Sequence, residues 1–432
     1  MAAVGYEATR RACYVASVTQ AIVNNLAPLL FVVFQTRYDV SLEMLGRLAL
    51  LNFGTQVVAE LVAIRVVDRV GFRRPMVVSH VLCAVGLVLL AVLPPVLPSP
   101  YVGLCVAIVV YALGGGLLEV VVSPVIEGLP TPHHGKAGAM ALLHSFYCWG
   151  QLAVVVTSTL LLAAIGHGGW WALPVLWALV PLANAVAMAR VALPDTVAEH
   201  ERLPLGDLAR SPVFFAALCL MVCAGATEMT MSQWSSLFAE QSLGVSKVWG
   251  DLAGPGLFAV LMGSGRTIYG LWGRRMPLVP VMAASGVLAI GCYLTVALVA
   301  NPAISLAACA VTGLAVSLLW PGTFSLAAAR FPTGGAAMFG VLAVFGALGA
   351  AVGPWLAGAL ADATATTGSW LGRVADALPD DGGLGLRTGI LVATVFPAVV
   401  VVVTLALQRG RAPRPPAGPE VLSPMDAVGR SY

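Results

Sequence analysis

Between two apolar runs the chain reads "DRVGFRR" (Asp68–Arg74), four charged residues in seven, in a protein whose residues are only 10% charged. Extended by one residue it ends "GFRRP" (Gly71–Pro75), and in the second half of the chain, again after an apolar run, stands "GRRMP" (Gly273–Pro277). Glycine, arginine and proline hold the first, third and fifth places of both. A basic turn that recurs at the same kind of boundary points to a duplicated unit. The runs on either side of it decide what that unit is.

Of the 432 residues 59% are hydrophobic, and the mean hydropathy is +0.91. Soluble domains carry roughly 25% charged residues, so a soluble fold of this composition would leave large apolar surfaces in water. Twelve runs approach the length of about 20 apolar residues that a spanning helix needs. They lie near 12–34, 44–66, 75–97, 102–126, 138–165 and 170–190, then 213–237, 250–272, 277–299, 303–328, 336–361 and 387–408. The first is expected to be a retained helix and not a cleaved leader: it is too long, holds Gln20, Asn24 and Asn25, and no A-x-A-like site follows it. Pro28, Pro124, Pro174, Pro321 and Pro354 are expected to kink or break helices locally.

The least apolar internal stretch, "VALPDTVAEHERLPLGDLARSP" (Val191–Pro212), falls near the midpoint and divides the runs six and six. The expected fold is an all-α membrane protein of twelve transmembrane helices in two pseudo-symmetric six-helix bundles. Residues 1–190 make the first bundle, 191–211 a cytoplasmic linker, 212–408 the second bundle and 409–432 a disordered cytoplasmic tail. With the N-terminus in the cytoplasm, all but Arg37, Arg47, Lys247, Arg373 and Arg387 of the 23 Lys and Arg residues fall on the cytoplasmic side, Arg266 being counted there. The positive-inside rule then puts both termini in the cytoplasm, and the net charge of +3 has no nucleic-acid meaning. Heavy use of Ala, Val and Arg with only two lysines points to a GC-rich bacterial genome, hence to the plasma (inner) membrane. The eight cysteines all sit in predicted helices, which is not a disulfide framework.

"DRVGFRR" resembles the loop signature of the major facilitator superfamily, and the resemblance implies a conformational role for Asp68, Arg69, Gly71, Arg73 and Arg74. In physical terms Asp68 can pair with an arginine or cap a neighbouring helix, and Gly71 permits a tight turn. Ile64 stands where the family usually has a glycine, which bears on how the second helix packs against the eleventh; "GALGAAVGPWLAG" (Gly346–Gly358) supplies small residues on the other side. "NNLAP" (Asn24–Pro28), "EVVVSPVIEG" (Glu119–Gly128), "LLHSFYCWGQ" (Leu142–Gln151), "GATEMTMSQW" (Gly225–Trp234) and "WPGTFSLAAARFP" (Trp320–Pro332) are similar to the fucose permease-like branch. That branch implies sugar:cation symport by alternating access, working as a monomer in the lipid bilayer.

A carboxylate at a helix centre costs about 2.5–3.5 kcal/mol to insert, so Glu119 is expected to face a cavity between the halves. There it can take a proton, a cation or a hydroxyl. The resemblance aligns it with a helix-4 carboxylate implicated in proton coupling. It also implies an aspartate shortly after the paired asparagines, and here Leu26, Ala27 and Pro28 follow instead. Glu228 in the seventh helix is the best substitute acid, ahead of Glu60 and then Glu127. His144 is a second coupling candidate, since imidazole can titrate near neutrality. Ser17, Gln20 and Asn24 form one stripe of the first helix, and His144, Tyr147 and Gln151 repeat that spacing on the fifth. Glu228, Ser232 and Ser235 follow on the seventh. Amides, carboxylates and hydroxyls suit the rim of a sugar, and Trp234 or Trp320 its apolar face. The same residues also suit interhelical hydrogen bonding.

Neither a P-loop nor a G-x-S-x-G elbow is present, "GSGRTIYG" (Gly263–Gly270) lacks the dinucleotide-binding spacing, and His133 and His134 are poorly spaced for a metal. An enzyme, a cofactor and a metal site are therefore not expected. The expected activity is uptake of a small polar, sugar-like solute with a coupling cation, a proton ahead of sodium. The alternatives are a proton-coupled efflux antiporter, disfavoured because the fifth run lacks a Gly-Pro signature, and a transport-dead sensor on the same fold.

Overall fold

The computed structural model describes residues 6–40, 42–130, 135–194, 205–243, 249, 252–364, 373, 378–379 and 384–409. His133 and His134, much of the linker, the tail from 410 onward and the side chain of Asp68 lie outside the described part.

The first half is α1 (Glu7–Leu29), α2 (Phe31–Tyr38), α3 (Leu42–Val70), α4 (Arg73–Val96), α5 (Pro100–Gly128), α6 (Gly135–Ile165) and α7 (Ala172–Arg190). After the short α8 (Leu205–Arg210) come α9 (Pro212–Leu243), α10 (Leu257–Trp272), α11 (Leu278–Leu298) and α12 (Pro302–Val316). The chain closes with α13 (Leu319–Arg330), α14 (Gly335–Ala363), α15 (Leu384–Ala393) and α16 (Val395–Arg409). The pieces α1/α2, α12/α13 and α15/α16 each make one crossing, which gives twelve. Helix α1 breaks just after Pro28 and α13 starts just before Pro321, whereas α5 and α14 run on through Pro124 and Pro354.

Ten helices among the described residues are long and apolar enough to span a bilayer by themselves. The first and eighth runs fall short for physical reasons. Helix α1 carries Gln20, Asn24 and Asn25 and stops at Leu29. Helix α10 has 16 residues and is continued only by a π turn, Leu252–Gly256, around Pro255. Elsewhere the lipid-facing side is plain: Val78, Val81, Val85, Val88 and Val92 form an exposed stripe along α4. In a bilayer such a stripe belongs against acyl chains.

Within the first half α4 packs on α5 and α7, α3 on α5, and α1 on α6. Within the second, α9 packs on α14, α11 on α12 and α16, and α10 on α12. The halves meet through α3 with α14, α5 with α14, and α6 with α10 and α13. At the first of these seams a Cβ on Gly340 would fall inside the Ile64 side chain. The bulky residue on α3 is thus received by a glycine on α14. The expected donors of small residues serve a different contact. Cβ atoms at Gly349 and Gly353 would overlap the α9 backbone at Val222 and Ala226, so they set the α9–α14 approach.

The basic turn behaves as its residues require. Gly71 adopts φ +75°, a conformation that favours glycine. The Arg73 guanidinium donates to the carbonyls of Met188 (3.2 Å), Ala189 (2.8 Å) and Val191 (2.9 Å), capping the end of α7. Those carbonyls have no partner within their own helix and carry the negative end of its dipole. We expect Arg73→Ala to cost about 1 kcal/mol and to speed amide exchange across the last turn of α7, whereas Arg74→Ala, whose side chain is exposed, leaves exchange there unchanged. Arg387, counted by sequence with the charges outside the cytoplasmic face, is buried. It caps α11 through the carbonyls of Val296 and Val299 and lies 5.1 Å from the Phe238 ring centroid.

Candidate functional site

The polar stripe of α1 meets a second stripe on α3, formed by Asn52, Gln56 and Glu60 one turn apart. Gln20 Nε2 donates to Gln56 Oε1 (3.0 Å), Gln56 Nε2 to Asn24 Oδ1 (2.7 Å), and Asn52 Nδ2 to the same Asn24 oxygen (3.3 Å). This network leaves Gln20 Oε1, Asn52 Oδ1 and Glu60 Oε2 buried without a partner. Gly116 on α5 makes the arrangement possible, because a Cβ there would come within 2.8 Å of Gln56 Cα.

Across from these amides, α9 and α10 contribute a buried ion pair, Arg266 Nη2 to Glu228 Oε2 at 3.0 Å. Arg266 also donates from Nε to Ser317 O (2.9 Å) and from Nη1 to His144 O (3.1 Å) and Cys148 Sγ (3.2 Å). The Ser317 carbonyl is available because α12 ends at that point, before α13 begins. One guanidinium therefore links three helices of the second half to α6 of the first. An arginine counted by sequence with the basic cytoplasmic face is in fact 2% exposed in the interior.

Between the two halves lies a cavity of about 80 Å³. Gln20, Asn24, Gln56, Glu60 and Glu119 line it from the first bundle, joined by His144 and Tyr147 of α6. Glu228, Arg266 and Trp320 close it from the second, with Phe53, Met229, Ala347 and Ala350 between them. A smaller cavity of about 30 Å³ adjoins it, touching Ser17, Gln20, Glu119, Ser123, His144 and Tyr147. Trp320 lies over Gly346, where a Cβ would meet the indole at Cζ3 (2.6 Å), and it lines the cavity together with Glu119. Phe324 connects this wall to His144, with ring centroids 6.3 Å from Trp320 and 5.7 Å from the imidazole. Tyr147 receives a hydrogen bond from Asn25 Nδ2 at 3.4 Å.

Seven of the residues singled out by sequence are thus brought together: Gln20, Asn24, Glu119, His144, Tyr147, Glu228 and Trp320. Two are not part of the lining. Trp234 lies roughly a third of a turn away from the Glu228 face of α9 and donates instead to Pro354 O (3.1 Å). Gln151 is buried about two helical turns beyond His144. Phe53, Gln56, Met229, Arg266, Ala347 and Ala350 were missed, while Glu60 was named only as a minor acid. The spacing of Asn52, Gln56 and Glu60 was a readable signal, as was a lone arginine inside an apolar run.

Chemically, the cavity offers hydrogen-bond acceptors and donors on one side, an aromatic plane on the other, and three carboxylates against one arginine. Apolar patches from Phe53, Met229 and the alanines interrupt the polar rim. Such a surface matches a neutral or cationic polar solute with C–H faces.

The family model for the major facilitator superfamily matches residues 13–354. No curated protein sequence matches significantly. Among solved structures, the E. coli fucose:proton symporter FucP shares 16% identity with a TM-score of 0.73, covering 93% of this chain and 99% of that one. The proton:xylose symporter XylE bound to 6-bromo-6-deoxy-D-glucose shares 13% with a TM-score of 0.76, over 94% and 96%. The human organic anion transporter MFSD10 shares 14% with a TM-score of 0.68, over 93% and 100%. Likenesses at these identities concern the fold alone. Taken with a family model that spans most of the sequence, they lead to one conclusion: the chain belongs to the major facilitator superfamily.

Proposed function

We propose that this transporter takes up a sugar or similar small neutral polar solute together with a proton, by alternating access. The observation that carries the reading is the mixed lining of the central cavity, with amides and carboxylates on α1, α3 and α5 facing an indole on α13. A hydroxylated ring has matching edges and faces. Three carboxylates against one arginine make the cavity unsuited to an anionic solute, the cargo named for MFSD10. Residues 1–190 and 212–408 are the two rocking units, joined by the linker 191–211 and followed by the tail 409–432, and the protein works as a monomer. Both termini lie on the cytoplasmic side of a bacterial inner membrane, as the distribution of basic residues favours. Glu119 is the proton carrier: it lines the cavity that Trp320 closes from the other half, and so can sense whether the site is filled.

The test is uptake of labelled hexoses and deoxyhexoses into proteoliposomes under an imposed pH gradient. Wild type should concentrate one of them, and Glu119→Gln should lose accumulation while solute exchange across the membrane persists. Failure of every sugar to move, with either a pH or a sodium gradient, would remove the sugar assignment. Accumulation by Glu119→Gln equal to wild type would remove Glu119 from coupling.

A further inference from the structure

Three carboxylates line the cavity, and the structure does not treat them alike. Glu228 is neutralised by Arg266. That guanidinium has four of its five N–H groups engaged, with Glu228, Ser317, His144 and Cys148. Glu60 on α3 and Glu119 on α5 remain. Glu60 is 2% exposed, with its Oε2 lacking any partner, and it lines the same cavity as Glu119. Glu119 is half-buried and faces both cavities. The glycines of α5 bring the two helices close: a Cβ at Gly116 would strike the backbone of Gln56, one turn from Glu60.

The other groups facing these acids are few. Helix α1 presents the neutral amides Gln20 and Asn24, and α6 presents His144 and Tyr147. Helix α13 presents Trp320, while α14 presents Ala347 and Ala350. Helix α9 presents Glu228 and Met229. Arg266 of α10, the one cation in the lining, spends its hydrogen bonds on Glu228, Ser317, His144 and Cys148, while its charge also reaches Glu119. Two carboxylates on closely packed helices, lining one small and partly buried cavity, disfavour ionisation of both at once.

We propose that Glu60 and Glu119 form a carboxylate pair that carries the transported proton, and that Glu228 takes no part in carrying it. This rests on the proton-coupled reading above and names its second residue. Glu119 takes one proton from hydronium in the water of the cavity, leaving water behind. The proton is then shared with the buried Glu60. When the site opens to the other side, the pair returns the proton to water, and no electron moves. Glu60 holds the charge away from solvent, and Glu119 exchanges it.

Two measurements test the pair, and they fail separately. The first compares gradient-driven accumulation with exchange in proteoliposomes for wild type, Glu60→Gln and Glu60→Asp. Glu60→Gln should keep exchange but lose accumulation, and Glu60→Asp, which keeps the acid, should retain part of it. Accumulation by Glu60→Gln equal to wild type overturns the proposal. So does accumulation in wild type that follows a sodium gradient and ignores pH. The second needs no solute: the purified protein is treated with a hydrophobic carbodiimide, which attacks protonated carboxyls shielded from water, and mapped by peptide mass spectrometry. Label should appear on Glu60 or Glu119 and not on Glu228. Label on neither of the two, or equally on Glu228, overturns the proposal even if no sugar is transported. If wild type moves no sugar and the label still falls on the pair, the solute assignment fails and the pair stands.

Discussion

Arg266→Met should destabilise the protein by about 3–5 kcal/mol, the cost of leaving one member of a buried ion pair without its partner. Glu228 would then be an uncompensated carboxylate at 5% exposure, in contact with neither bulk water nor another cation of the lining. The carbonyls of Ser317 and His144 would each lose a charged donor as well. The double variant Arg266→Met/Glu228→Met removes both charges together. It should recover most of the loss, because apolar replacement of a whole buried pair is often neutral. Equilibrium unfolding of the purified protein in mixed micelles measures both. Equal destabilisation of the single and double variants would show that packing, and not the uncompensated charge, sets the cost. Because Arg266 joins α9, α10 and α12 to α6, the single variant should also loosen the seam between the halves. Faster amide exchange around Cys148 would report that.

Gly116→Val should damage both stability and binding. Its Cβ would sit 2.8 Å from Gln56 Cα and closer still to that residue's carbonyl. The obstruction is backbone, so no side-chain rotation relieves it, and α3 must move away from α5. Overpacking of this kind costs about 1–3 kcal/mol. The displaced Gln56 carries the hydrogen bonds to Gln20 and Asn24, so the amide wall of the cavity opens with it. Solute binding, measured by quenching of intrinsic tryptophan fluorescence, should fall steeply. Gly54→Ala on α3, the helix that carries Gln56, is the control, since a Cβ there meets nothing within 4 Å. Its effect should be small, or slightly stabilising through helix propensity. Equal loss in both variants would refute the role given to Gly116.

Most of the architecture was legible because membrane insertion imposes one pattern on every crossing, a long apolar run with charges outside it. That pattern is weakest where function competes with it. Helix α1 is diluted by Gln20, Asn24 and Asn25, and α10 is shortened by the turn at Pro255; these are the two crossings whose helices fall short of a full apolar span by themselves. The site was half legible. Glu119, His144 and Glu228 stand out because charge and imidazole are expensive in an apolar run. Their partners do not, because partnership is a tertiary fact. Arg266 was grouped with the basic residues of one membrane face, since distance along the chain says little about depth. Trp234, off the Glu228 face by helical phase, and Gln151, by its height on α6, stand outside the lining. Glu60 ranked below Glu228 until the ion pair showed which acid is already neutralised.

The contact of Ile64 with Gly340 restricts the order in which the sequence can drift. A larger residue at 340 has no room while isoleucine occupies 64, whereas 64 can shrink first at the cost of a void. An exchange of roles between the two helices therefore has to begin on α3. The present pairing is one end of a path whose two steps can be taken in one order only, so the two positions are bound in their histories as well as in space.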